Sequence, residues 1–185
     1  MKQKQFRFIG LIAVLSIVIS SCMFLGPSIK GDGNVTEQIR QVGEFDHIKV
    51  SRGINVYITQ GNPARVVVIA DSNLHKVIET DVEGGVLKIT VNENIRWAKE
   101  KKVVVTVDKL TGVEATSGGK VWSQSQIISE NMKLHASSGA NMIMEVNANI
   151  LSADCSSGAN MKLSGLAKNT ELRASSGADL KGPQM

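Results

Sequence analysis

The chain has 185 residues, 42% of them apolar, with 21 Lys and Arg against 17 Asp and Glu for a formal charge of +4. Three of the basic residues, Lys2, Lys4 and Arg7, precede residue 22, so the remainder carries 18 basic and 17 acidic side chains, which excludes the concentrated positive field that nucleic-acid binding needs. Two cysteines, Cys22 and Cys155, offer no disulfide framework, zinc cluster or CxxC redox pair.

Residues 1–21 open with Lys2, Lys4 and Arg7, continue as an apolar run from Phe8 to Ile19, and end in Ser20-Ser21. This is the order of parts of a signal peptide. The run is shorter than the roughly 20 apolar residues that span a bilayer as a helix. Ile19-Ser20-Ser21-Cys22 resembles a bacterial lipobox, which implies that Cys22 is acylated and the segment before it removed. Acyl chains contribute about 0.8 kcal/mol per buried methylene, so such an N-terminus holds the protein on a membrane. Residues 22–41, with Pro27 and two glycines flanking Asp32, read as a lipidated flexible tether.

From residue 42 the pattern changes to β-branched residues spaced by two: Ile48 and Val50; Ile54, Val56 and Ile58; Val66 to Ile69; Leu87, Ile89 and Val91; Val103, Val105 and Val107. That spacing predicts strands. Gly61-Asn62-Pro63 and Glu83-Gly84-Gly85 are the expected reversals, because they supply the backbone angles a tight turn requires. Asp71 to Val77 alone has helical character, for about two turns.

The second half repeats. Ala136-Ser137-Ser138-Gly139-Ala140-Asn141-Met142 recurs as Cys155-Ser156-Ser157-Gly158-Ala159-Asn160-Met161 and as Ala174-Ser175-Ser176-Gly177-Ala178-Asp179-Leu180, after a weaker copy over Ala115 to Val121. The glycines are 21, 19 and 19 residues apart. A strand-rich period of that length predicts an all-β fold with a parallel β-helix-like stack, in coils of about 19–21 residues over 113–182, preceded by the β-rich region around Gly53. Aligned on the glycine, the columns Ala115, Ala136, Cys155, Ala174 and Val113, Leu134, Ala153, Leu172 are apolar and should face inward, as should Val121, Met142, Met161, Leu180. Cys155 therefore fills an interior alanine slot and is expected to be inert. Glu114, His135, Asp154 and Arg173 form an outward charge ladder, in which opposite charges across strands are worth about 0.2–1 kcal/mol each. His135 is a member of that ladder rather than a catalytic or metal-binding group. The Ser-Ser-Gly segments are tight corners.

Arg52-Gly53-Ile54-Asn55-Val56, with Phe45 to Val50 before it, Gln60-Gly61-Asn62 after it and the Ser-Ser-Gly-Ala copies beyond, resembles the head GIN domain family of auto-transporter adhesins common in Bacteroidetes envelopes. The resemblance spans about residues 40–182 and implies an exported, often lipid-anchored, right-handed β-helix-like domain, here 42–185. It brings no catalytic residues.

The expected function is a cell-envelope lipoprotein acting as a non-enzymatic binding or adhesion-type module for a glycan or protein. Asn141, Asn160 and Asp179, in one column with Lys120, form the candidate binding face. The alternatives are a structural or envelope-stress protein without a specific ligand and, below it, a polysaccharide-active enzyme. Glycoside hydrolysis needs paired carboxylates about 5–9 Å apart, whereas Glu130, Glu145, Asp154, Glu171 and Asp179 stand singly. No cofactor or metal is expected. The expected partners are the membrane, through the N-terminal lipid, a glycan or envelope protein, and a second copy through the unpaired edge of the last coil. Met23 to Pro27 carry no acid, which favours the periplasmic face of the outer membrane over the cell surface.

Overall fold

The computed structural model describes residues 28–182; the signal segment and Cys22 lie outside the described residues. Strands dominate because apolar β-branched side chains alternate with polar ones and bury one face. In chain order they are β1 (Ser28–Lys30), β2 (Val35–Arg40), β3 (His47–Val50), β4 (Asn55–Gln60), β5 (Arg65–Asp71), β6 (Ile78–Glu83), β7 (Val86–Val91), β8 (Asn94–Trp97), β9 (Lys101–Val107), β10 (Gly112–Ala115), β11 (Lys120–Ser123), β12 (Ile127–Ala136), β13 (Asn141–Cys155), β14 (Asn160–Ala174) and β15 (Asp179–Lys181). The architecture is all-β, with 65% of the described residues in strands, and its 13-stranded sheet curls into a nearly closed, barrel-like form. Among the described residues no helix is long and apolar enough to cross a membrane.

The sheet folds over itself as two layers. In the first, β6, β7, β3, β10, β12 and the latter parts of β13 and β14 lie side by side; in the second, β2, β5, β9, β4, β11, the first parts of β13 and β14, and β15 do so. β13 and β14 run through both layers, and the buried residues of β13 change from even to odd positions at Asn149, between Ala148 and Leu151. That phase change is the bend opposite the Ser-Ser-Gly corner. Ile48, Val50, Val56, Ile58, Leu87, Ile89, Val103 and Val105 are fully buried, as their spacing predicts.

The Ser-Ser-Gly-Ala copies pair in parallel and in the register that their alignment predicts. Val113 lies beside Leu134, Leu134 beside Ala153, and Ala153 beside Leu172; Ala115, Ala136, Cys155 and Ala174 follow in the same order. Across the corner, Val121, Met142, Met161 and Leu180 are neighbours in sequence. The charge column also holds, and extends to Lys49 and Lys88. Within it Lys49 pairs with Glu114 at 2.8 Å and His135 Nδ1 stands 3.6 Å from Asp154.

Each corner is built from two consecutive positive-φ residues: Ser117-Gly118, Ser138-Gly139, Ser157-Gly158 and Ser176-Gly177. The glycine N–H donates to the serine carbonyl of the next copy, from Gly118 to Ser138, Gly139 to Ser157, and Gly158 to Ser176. Serine in the left-handed region is strained by about 1–2 kcal/mol relative to glycine. Ser157→Gly should therefore leave stability unchanged or raise it by about 0.5–1 kcal/mol, whereas Gly158→Ala, whose new methyl meets nothing within 4 Å, should lower it by about 1–2 kcal/mol. Urea denaturation of the two variants checks the pair of signs.

One expectation is corrected here. The region around Gly53 does not precede the stack; it is one of its corners. Arg52 and Gly53 have φ of 56° and 72°, Gly53 N–H donates to Ser117 O, and β3 and β4 pair in parallel with β10 and β11. On their other sides β3 and β4 pair in parallel with β7 and β9, so this corner sits inside the stack. The chain lays it down first, builds β5 to β9 on one side of it, and returns with β10 on the other.

Two further differences concern local structure. The segment Asp71 to Val77 forms only a single 3-10 turn, Ser72–Leu74, which sinks Leu74 into the core between two strands. The expected tether of residues 22–41 is part of the fold from Ser28 onward: β1 pairs with β8, and β2 pairs antiparallel with β5. Its alternation is short and largely exposed, but Arg40 donates to the carbonyls of His75 and Ile78 at 2.6 and 3.2 Å. The Glu83-Gly84-Gly85 reversal is present as the tip between antiparallel β6 and β7. β2 and β6 are the antiparallel outer strands at this end of the two layers.

Candidate binding face

On the outer side of the second layer, alternation puts every second residue in solvent, and parallel register turns those residues into columns. Asn141, Asn160 and Asp179 fall in one such column, with Lys120, Asn55 and Lys102 continuing it. Asn160 and Asp179 are exposed and Asn141 is half-buried. The structure thus brings together all three residues singled out from the sequence.

The adjacent column is apolar. Ile39, Val67, Val104, Tyr57, Trp122 and Ile143 are register partners on β2, β5, β9, β4, β11 and β13. Ile39 is 54% and Ile143 41% exposed, and Tyr57 and Trp122 are half-buried. Lys162 ends the stripe beyond Ile143. On the far side, Thr59, Thr106 and Arg65 supply a second polar column. The result is an apolar ridge across six strands, sunken at Val67, which is buried, and bordered by amides and lysines on one side and hydroxyls on the other.

The Tyr57 and Trp122 rings stack with centroids 4.9 Å apart and planes 12° from parallel. Each ring covers one face of the other. Offset stacking of this kind is worth about 0.5–1.5 kcal/mol beyond burial and holds both side chains in fixed positions. Sequence reasoning missed this ridge because β4, β9 and β5 are its members and none carries the repeat's signature. The signal was nevertheless present: Tyr57, Trp122 and Ile143 stand at the same distance after Gly53, Gly118 and Gly139.

Elsewhere the titratable groups are engaged structurally. His47, Leu110, Ile128, Glu130, Asn131 and Lys133 line a groove, but the Glu130 carboxylate is bonded to Asn149. Burial pushes His47 below the usual histidine pKa. Cys155 is fully buried, its thiol pushed up by burial and by the charges of Asp154 and Asp179, with Sγ donating to Asp179 O at 3.6 Å. A raised, buried thiol is a poor nucleophile. In the native protein Cys155 should react with a maleimide at least about 100-fold more slowly than in urea, by peptide mass spectrometry; equal rates would contradict its placement in the core.

A family model described as "Putative auto-transporter adhesin, head GIN domain" matches residues 44–185. No curated protein matches the chain. Among solved structures, a putative adhesin from Parabacteroides distasonis ATCC 8503 is similar at 21% identity, with 84% of this chain and 76% of that chain covered and a TM-score of 0.66. A putative adhesin from Bacteroides fragilis NCTC 9343 is similar at 16% identity, with 83% and 99% covered and a TM-score of 0.56. A third, from Parabacteroides merdae ATCC 43184, is similar at 13% identity, with 84% and 98% covered and a TM-score of 0.57. At these identities the likeness is one of fold.

Proposed function

The chain belongs to the head GIN domain family, and from that premise we propose that it is an envelope-associated, non-enzymatic binding module of the adhesion type whose working surface is the outer face of the second layer. The observation that carries this reading is the apolar ridge from Ile39 to Ile143. A soluble sheet face normally alternates inward-apolar with outward-polar, and a contiguous outward apolar stripe rimmed by polar columns marks an interaction surface. The Asn141–Asn160–Asp179 column lies alongside it and provides hydrogen-bonding groups at the strand spacing of about 4.8 Å.

A protein partner suits the ridge better than a sugar. Stacking covers one face of each ring and leaves less flat aromatic surface for a hexose, whereas an extended apolar segment can cover the stripe. Against an enzymatic role, the acids of the repeat half are engaged singly, Glu114, Asp154 and Asp179 by the basic neighbours Lys49, His135 and Lys181, and Glu130 and Glu145 by the amides of Asn149 and Gln126.

The same reading takes the parallel copies as successive turns of a right-handed β-helix, supported by their shared register and equivalent corners. It places the domain at the outer membrane, held there by acyl chains on Cys22, on the strength of the basic, apolar and small residues that precede that cysteine. The absence of acids after Cys22 favours the periplasmic face.

The test is a binding screen of the full chain against panels of immobilised surface proteins and glycans, repeated with Trp122→Ala and Ile143→Lys. Binding should fall by about tenfold or more with each variant, the effect of losing roughly 1.4 kcal/mol at a contact. A hit indifferent to both variants contradicts the assignment of the face, and a folded chain with no hits contradicts the binding role.

A further inference from the structure

Among the described residues, the end of the two layers formed by β14 and β15 leaves apolar side chains uncovered. The interior column Val113, Leu134, Ala153 is 0%, 2% and 1% exposed, but its last member, Leu172, is 40% exposed. Ala174 is likewise exposed, although Ala115, Ala136 and Cys155 in its column are fully buried. Among the described residues, residues 163–174 of β14 pair only with β13, and β15 pairs only with β14. A free edge above an uncovered apolar layer is a template for another strand.

The charges on that edge select the strand. Glu171 and Arg173 flank Leu172 and form an ion pair with each other; Asp179 and Lys181 flank Leu180 and do the same at 3.5 Å. Consider a second copy brought to the same end by a two-fold rotation, so that edge strands meet antiparallel. With Leu172 opposite its own equivalent, each Glu171 faces the other copy's Arg173. With Leu180 opposite its own equivalent, each Asp179 faces the other copy's Lys181. Leu172 and Leu180 are equally far along the chain from the corner residue Ser176, so a single axis normal to the two layers satisfies both triplets together. A head-to-tail contact lacks this match, because the outer strands of the opposite end, β2 and β6, carry no acid-Leu-base triplet.

We infer that the open end is an isologous interface for a second copy of this chain, which continues both layers across the two-fold axis and covers Leu172, Ala174 and Leu180. Each closed pair of unlike charges stabilises the pairing, and the same arrangement disfavours parallel addition, which would set Glu171 against Glu171 and Arg173 against Arg173. The contact lies at the end of the stack, away from the ridge, so dimer formation leaves the proposed binding face free.

The test is sedimentation velocity of the full chain in density-matched detergent. The unaltered chain should show a concentration-dependent dimer. Glu171→Arg and Arg173→Glu should each weaken it about tenfold or more, since each replaces two facing unlike pairs by like ones. Mixing the two variants in equal amounts should restore the dimer, because one edge is then wholly basic and the other wholly acidic. Both positions are exposed, and unchanged circular dichroism shows that the fold is kept. A chain that stays monomeric at every concentration overturns the proposal, as it would if the residues after Gly182, which lies beside Leu172, cover the end instead. A dimer indifferent to both substitutions, or a mixture no better than either variant alone, overturns it as well.

Discussion

Replacing Asp71 by alanine should lower the stability of the protein by about 3–5 kcal/mol, the largest effect expected of any polar substitution in it. The Asp71 carboxylate is fully buried at the end of β5, where two separate segments, around Gly33 and at Lys99-Glu100, converge on it. Gly33 N–H donates to Oδ2 at 2.9 Å, Lys99 N–H to Oδ2 at 3.2 Å and Glu100 N–H to Oδ1 at 3.0 Å. Gly31 packs so closely against it that a side chain there would collide with the carboxylate. Removing the acceptor strands three backbone donors, and each buried unsatisfied group costs about 1–3 kcal/mol, offset in part by water entering the gap. Asp71→Asn keeps the shape but turns a donor toward at least one N–H, and should cost about 2–3 kcal/mol.

The pH dependence of that contribution has a definite sign. Burial alone would raise the Asp71 pKa, but the N–H groups of Glu100, Lys99 and Gly33 together outweigh it and hold the carboxyl below its ordinary value. A carboxyl depressed in the folded state adds stability above its unfolded pKa, about 3.9, and that stability is lost as pH falls through the folded value. Urea midpoints of the unaltered chain should therefore decline below about pH 4 more steeply than those of Asp71→Asn. Parallel decline of the two would show that Asp71 titrates normally.

Gly165→Ala should be nearly as damaging, at about 3 kcal/mol or more, lowering the melting temperature by about 10 °C. Gly165 has φ of 104°, and a Cβ there would overlap the carbonyl oxygen of Val146 and lie 2.8 Å from its carbonyl carbon. Val146 is the residue's register partner on β13, so the backbone of one coil presses on the next where β14 bends. No rotamer change relieves a clash between backbone atoms. The contrast with Gly158→Ala is informative, because both glycines have positive φ but only Gly165 lacks space for a methyl. Equal losses for the two would mean that β13 and β14 are farther apart at this point than their register implies.

The repeat half was legible because stacking in register writes itself into sequence. Residues sharing a column share an environment, so Ala136, Cys155 and Ala174 could be matched without knowing any coordinates. The core strands of the first half were legible too, through the two-residue spacing of residues such as Val103, Val105 and Val107. Their order in space was not. β7 and β9 pair in parallel with β3 and β4, yet the connection between them, Asn92 to Glu100, has no Ser-Gly corner and carries β8 instead. Without that signature no alignment could show that the corner at Gly53 lies inside the stack.

The candidate face was half-legible for the same reason. Asn141, Asn160 and Asp179 repeat within the Ser-Ser-Gly-Ala copies and could be aligned. Tyr57 and Trp122 are neighbours only because β4 and β11 are, a pairing that spans residues 61–119 and depends on the order in which the coils are laid down. Asp71 was invisible because its work is done by backbone donors, and residue types do not report those. The segment from Ser28 to Arg40 was misread as tether because its strands are short and exposed, and contacts such as Arg40 to His75 O come from side chains far apart in sequence.

The in-register parallel contact between successive copies underlies the inert thiol, the charge ladder and the binding face alike, and paired cysteines test it directly. With Cys22 and Cys155 replaced by alanine, Asn141→Cys combined with Asn160→Cys should form an intramolecular disulfide readily under mild oxidation, because neighbouring strands about 4.8 Å apart fall within the range a disulfide bridges. Asn141→Cys combined with Asp179→Cys, two coils apart, should not. Rapid closure of the second pair, or failure of the first in a folded protein, would contradict the stack.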